Sequence, residues 1–224
     1  VTRLALFDLD NTLVDHDEAF RRWAEEFADD HGLDAEAVER LVALNGHGYL
    51  PREALFAQVK EDFGIDGQVE DLYAAYRRRM PRLARCPQQV RDGLTRLRTA
   101  GWRVAIVTNG RADNQLGKIR STGLDEVVDA WAVSGAEGVR KPERGLFEIA
   151  ATRAGASLGA GGWVIGDHPV MDVAGGRAIG FATIWIDRGT WAGQEPAPDH
   201  TVTDVTEAIG ILLSGVEHPI AERR

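Results

Sequence analysis

Asp8 and Asp10 flank Leu9 and precede Asn11 and Thr12, so two carboxylates stand one residue apart in the run D-L-D-N-T. They follow an apolar segment, and a turn at that point can converge both acids on one place. Close carboxylates repel unless a proton or a cation sits between them. Mg2+ suits that position, since it takes hard oxygen ligands and is commonly held by one or two carboxylates together with phosphate. Alone, the pentapeptide reads equally as a strand followed by an Asx-type turn.

Three later groups offer complementary chemistry. Thr108, Asn109 and Gly110 follow an apolar run, and a hydroxyl with exposed amides in a glycine turn offers donors to a phosphoryl group. Lys141, ahead of Pro142, can neutralise charge on such a group in both ground and transition states. Asp167 follows Gly166 at the end of another apolar run, where it can ligate a metal, and Asp172 lies about one turn further on, able to hold a metal-bound water or the lysine. Each has a plainer reading: a turn, a solvated loop lysine, or an acidic helix start favoured by the helix dipole.

Parallel strands are the elements that can bring these groups to one edge. Short apolar runs at residues 4–10 (LALFDLD), 102–108 (WRVAIVT), 127–133 (VVDAWAV), 163–166 (WVIG) and 181–186 (FATIWI) alternate with helical patterns. The expected fold is α/β, a doubly wound, three-layer, Rossmann-like parallel sheet. All four chemical groups then fall at carboxyl ends of strands, where open α/β sheets bind ligands.

Residues 15–86 break this rhythm. Helical periodicity predicts helices at about 17–31, 34–45, 52–63 and 68–80; Phe20, Trp23, Ala24 and Phe27 share one apolar face. Four amphipathic helices make a small bundle, too long for a crossover helix. The expected division is a catalytic core of residues 1–14 and 87–224 carrying an inserted cap of residues 15–86. Further helices are expected at about 88–100 and 205–213, with a loosely ordered tail at 215–224.

Composition narrows the partners. With net charge -9 and no basic run outside Arg77, Arg78 and Arg79, a nucleic acid is not expected as a partner. The single cysteine, Cys86, excludes an internal disulfide framework and a cysteine-rich zinc site, and reads as a small buried apolar residue. The opening residues lack the pattern of a signal peptide and no segment has the apolar length of a membrane span, so a cytoplasmic location without a membrane partner is expected. Composition sets no oligomeric state.

The ordered set Asp8/Asp10, Thr108, Lys141 and Asp167/Asp172 resembles the four motifs of the haloacid dehalogenase superfamily, and the helical insertion after the first motif resembles its members with a first-position cap. The resemblance implies a phosphatase in which Asp8 is the nucleophile forming an aspartyl-phosphate and Asp10 is the general acid and base. It implies that Thr108, with Asn109 and Gly110, binds phosphoryl oxygens and that Lys141 steadies Asp8 and the phosphate. Mg2+ is expected on Asp8, Asp10 and Asp167, with Asp172 supporting the metal shell or Lys141. In the superfamily's dehalogenases the position of Asp10 is not an aspartate and no metal is needed, so Asp10 favours phosphoryl transfer over dehalogenation. The expected substrate is a small phosphorylated metabolite. A phosphomutase of the same superfamily stays open as an alternative, and a receiver-like or catalytically silent binding domain is disfavoured by the full reactive set.

The cap is expected to choose the substrate. Its loop at residues 44–52 (LNGHGYLPR) holds His47, Tyr49 and Arg52, which either contact a leaving group or merely connect two helices. His16 reads as an exposed linker histidine, with a place at the site as the alternative. His168 is not counted as a ligand, because Mg2+ prefers oxygen. Arg111 and Arg140 either add positive potential or are solvated, and Trp185 and Trp191 are expected to pack the last strand and its following loop.

Overall fold

The computed structural model describes residues 3–48, 50–193 and 196–215. Within these, six parallel strands form one sheet: β1 (Arg3–Phe7), β2 (Trp102–Thr108), β3 (Ala130–Val133), β4 (Trp163–Gly166), β5 (Ala182–Ile186) and β6 (His200–Val202), in the order β3-β2-β1-β4-β5-β6. Strand order reverses between β1 and β4, which opens a crevice at their carboxyl ends. Asp8 and Asp167 follow those two strands directly, and the Asp8 amide donates to the Ile165 carbonyl at 2.8 Å, carrying the ladder one residue further.

Alternate side chains of β1 enter opposite layers. Ala5 and Phe7 join one buried cluster with Leu94, Leu97, Ile209 and Leu212, while Leu4 and Leu6 join another with Leu146, Phe147 and Ala150. The sheet is therefore covered on both faces, which is why its strands are near-continuous apolar runs rather than alternating ones.

Two strand expectations are corrected. Residues 124–127 form a helical turn and β3 begins only at Ala130; a pair of valines does not distinguish a short helix from a buried strand. The short strand β6 was not expected, because three residues, His-Thr-Val, carry too little pattern. Residues 216–224 of the expected tail, like Tyr49, lie outside the described residues.

Between β1 and β2 run α1 (His16–His31), α2 (Ala35–Asn45), α3 (Arg52–Phe63) and α4 (Val69–Leu83), followed by α5 (Gln88–Thr99). Asp15 caps α1 by accepting the Glu18 amide, and Gly32 closes that helix in the left-handed conformation. The four helices share their own apolar cluster, in which Phe20, Trp23, Phe56 and Tyr76 meet ring against ring; Trp23 stands edge-on to Tyr76 at 5.2 Å. After β2 comes α6 (Ala112–Ser121), against which α4 packs closely: a side chain on Gly117 would collide with Pro81. That contact seats α6 between the helical cluster and the sheet edge. No helix among the described residues is long and apolar enough to cross a membrane.

Candidate active site

The crevice gathers Asp8, Asp167 and Asp172, all buried, with carboxylate oxygens within 4.8 Å of one another. Lys141 answers them, its ammonium 2.5 Å from Asp8 Oδ1 and 2.6 Å from Asp172 Oδ1. Asp172 also accepts the His168 amide at 3.0 Å, so the acid is drawn back from its helical turn toward the strand end. Gly166 makes that approach possible: a Cβ there would lie 2.3 Å from the Asp172 carboxylate.

One ammonium against three carboxylates leaves the cluster short of positive charge. Burial lifts the Asp8 carboxyl to about 7, the pull of Lys141 only partly offsetting it and Asp172 adding to it. Asp167 is raised well above the carboxylate range by burial and then by Asp8 and Asp172. Burial works against the Lys141 ammonium, yet Asp172 and Asp8 hold it charged, above its usual range. Buried hard oxygens in excess of their counter-charge suit a divalent cation, so the residues present fit a metal ion.

Asp10 points elsewhere. Lys118 of α6 donates to both of its oxygens, at 2.7 and 2.8 Å, and Gln115 donates to Oδ2 at 3.0 Å. Burial tends to raise the Asp10 carboxyl, but Lys118 and then His16 outweigh it and hold the acid well below its usual range. Both Asp10 oxygens are engaged by α6, and the third acid of the buried cluster is Asp172.

His16 is not the exposed linker residue. It is 3% exposed, with Nδ1 3.6 Å from Asp10 Oδ1 and Nε2 3.0 Å from Arg52 Nη2. Burial, with the charges of Lys118 and Arg52, depresses its pKa to about 3 despite Asp10, so the ring is neutral. Neutral Nε2 can then accept from the guanidinium.

Thr108, buried at the end of β2, receives the Gln115 amide on its hydroxyl at 2.7 Å. Its two neighbours in the turn make structural contacts. Asn109 donates to the Lys141 carbonyl at 3.1 Å and accepts the Lys141 amide at 2.9 Å, clamping the loop that carries the ammonium. Gly110 gives its amide to Ser134 Oγ at 3.0 Å, with φ at 144°, a conformation that favours glycine.

Two connected cavities sit over these groups. One of about 180 Å³ is lined by Asp8, Asp10, Thr108, Lys141, Asp167 and Asp172. The other, about 610 Å³, shares Asp10, His16 and Arg52 with it and extends between Tyr73 and Tyr76 of α4 and Arg111 and Arg140 of the core loops. His47 also lines the smaller cavity and pairs with Asp17 at 2.6 Å. His168 caps the turn at residues 169–174, its Nδ1 accepting the Val170 and Met171 amides. Trp185 packs on Trp191 with ring centres 5.0 Å apart, as expected, and donates to the Asp167 carbonyl at 2.8 Å.

Sequence reasoning missed Lys118 and Gln115. The signal available was their spacing after Thr108: residues 115 and 118 share one face of the helix that starts just past that strand end.

Known proteins place this geometry. Phosphoserine phosphatase of Thermus thermophilus is 31% identical over 158 residues, which are 70% of this chain and 63% of that protein's length. Glyceraldehyde 3-phosphate phosphatase of Pyrococcus furiosus is 24% identical over 224 residues, 94% of this chain and 92% of the relative. The HAD-hydrolase YfnB of Bacillus subtilis, solved bound to magnesium, shares the fold with a TM-score of 0.77 at 23% identity, covering 94% of this chain and 98% of that one. The profile of the haloacid dehalogenase-like hydrolases matches residues 2–180, from the first strand through all four acidic and basic groups of the crevice, and the chain belongs to that family.

Proposed function

We propose that this chain, a phosphatase of the haloacid dehalogenase-like family, hydrolyses a small phosphorylated metabolite in an Mg2+-dependent reaction through an aspartyl-phosphate on Asp8. The observation that carries the reading is the pairing of two differently held acids. Asp8 sits among carboxylates beside Lys141, and Asp10 is clamped by Lys118 and Gln115. Separate environments for two acids are how one site divides nucleophile from acid and base.

In this reading Asp8 attacks phosphorus and the bond to the leaving oxygen breaks. Asp10, in its protonated form, gives that oxygen its proton; as the carboxylate it then takes a proton from the water that attacks the phosphorus, releasing phosphate and restoring Asp8. The clamp by Lys118 favours the carboxylate, the form needed for the second step. Lys141 favours the ionised form of Asp8 against the effect of burial and faces the phosphoryl oxygens, and Thr108 offers its hydroxyl to one of them. Asp8 and Asp167 would hold Mg2+, which supplies charge neutralisation of the phosphoryl group, while Asp172 orients Lys141. Residues 15–86, with α1–α4, form a cap that closes over the larger cavity. A cytoplasmic setting accords with the unpaired Cys86.

The test is release of phosphate from p-nitrophenyl phosphate and from a panel of small phosphomonoesters, with Mg2+ and with chelator. Asp8→Asn is expected to lower kcat by at least about a thousandfold without loss of fold. Hydrolysis that survives both that substitution and chelation overturns the assignment.

A further inference from the structure

We infer that the leaving group of the substrate carries a second anion, a carboxylate or another phosphate, received by Arg52 and Tyr76 in the larger cavity. The inference rests on the phosphatase reading and specifies its substrate class.

Arg52 is half-buried at the start of α3, and the partners that fix it are neutral. It donates to Asn45 Oδ1 at 2.6 Å and approaches the uncharged His16 ring at 3.0 Å, with its guanidinium 5.5 Å from the Tyr76 ring centre. The ion pairs of arginines among the described residues belong to Arg21, Arg22, Arg40, Arg77, Arg79, Arg98, Arg103, Arg153 and Arg177, not to Arg52. A guanidinium has five donors in a fork that matches carboxylate and phosphate. Two neutral partners leave it with both donors and charge uncompensated.

Tyr76 supplies a second, independent sign. It lines the same cavity, is 1% exposed, and its hydroxyl has no hydrogen-bond partner among the described residues. A buried hydroxyl left unpaired is unfavourable unless something occupies it, and an anion beside Arg52 would accept that O–H. Arg111 and Arg140 line the cavity too, opposed by Glu53 and Glu143. All four of these side chains are exposed, so water screens them and Arg52 is the charge that counts inside. Lys118 and Asp10 neutralise one another. The interior end of the cavity is left positive, although the chain as a whole is negative.

Matched substrates test this with Mg2+ present: glycerol 3-phosphate against 3-phosphoglycerate for a carboxylate, and fructose 6-phosphate against fructose 1,6-bisphosphate for a phosphate. In at least one pair kcat/KM is expected to favour the anionic member by about tenfold or more, and the pair that does so names the anion. Arg52→Gln should reduce that ratio about tenfold and the conservative Tyr76→Phe about threefold. Arg52→Glu should shift preference toward the cationic leaving group of phosphoethanolamine. A wild-type ratio of one or less in both pairs, or ratios that neither Arg52→Gln nor Tyr76→Phe moves, overturns the inference. If p-nitrophenyl phosphate is hydrolysed in that case, only the substrate class falls. If it is not, the phosphatase reading falls with it.

Discussion

The Lys118 ammonium grips both carboxylate oxygens of Asp10, at 2.7 and 2.8 Å, across 108 residues of chain. Lys118 is 1% exposed, and burial lowers its pKa while Asp10 raises it, so each group is the other's chief counter-charge. Asp10 is thereby fixed in direction as well as in charge, and α6, not the loop that bears it, decides where it points.

Replacing Lys118 with Met should free Asp10 to turn and let its pKa climb toward the ordinary carboxylate range. We expect kcat to fall by about a hundredfold, more for alkyl phosphates than for p-nitrophenyl phosphate, whose leaving group needs no proton. The acid limb of the pH profile should move upward. An unchanged profile with unchanged kcat would show that the clamp plays no part in turnover.

Metal-free protein should lose stability as pH rises from about 6.5 to about 8. Asp8 is raised from 3.8 to about 7, and Asp167 is raised too, so the folded chain keeps protons that the unfolded chain has released. Stability from these groups is complete below their unfolded values and is lost as pH climbs through the folded ones. His16 and His168 are lowered from 6.5, so above that value both are neutral in either state and add no slope. The expected loss is about 1–2 kcal/mol, or a few degrees in Tm. Thermal melts in chelator across this range measure it, and excess Mg2+ should flatten the dependence; a chelated Tm that rises with pH counts against the electrostatics described.

Gly166→Ala should damage the site from behind. The new methyl would stand 2.3 Å from the Asp172 carboxylate, which must move away from Lys141 and the His168 amide. A destabilisation of about 1–3 kcal/mol is expected, with kcat/KM lower by about tenfold or more. Melting and steady-state kinetics check both, and wild-type values for the pair would show that Asp172 can relocate freely.

Cys86 should be a poor nucleophile while the chain is folded. It is 8% exposed, and burial pushes its thiol up to about 11 although Arg91 pulls the other way. At pH 8 iodoacetamide should label it about a hundredfold more slowly than in denaturant. Equal rates in the two conditions would contradict the burial.

The sequence alone determined the fold class and the acids and cation of the deep site. A buried strand followed by Asp is a local pattern, and Asp8, Thr108 and Asp167 each sit where their own strand ends. Parallel pairing then brings those ends together, so knowing the strands is almost enough to know the cluster. The tertiary structure decided what surrounds it. Lys118 and Gln115 lie on α6, where a lone lysine and glutamine in a helix ordinarily read as solvated, and only the packing of α4 against α6 seals them over Asp10. His16 looks like a linker residue until Arg52 and Asp10 close around it. Asn109 and Gly110 have the composition of a phosphate turn, and the structure adds that the Asn109 side chain clamps the Lys141 loop and the Gly110 amide meets Ser134. Periodicity and spacing report which face of its own element a side chain occupies; which other element meets that face is settled by long-range packing, which no local pattern encodes.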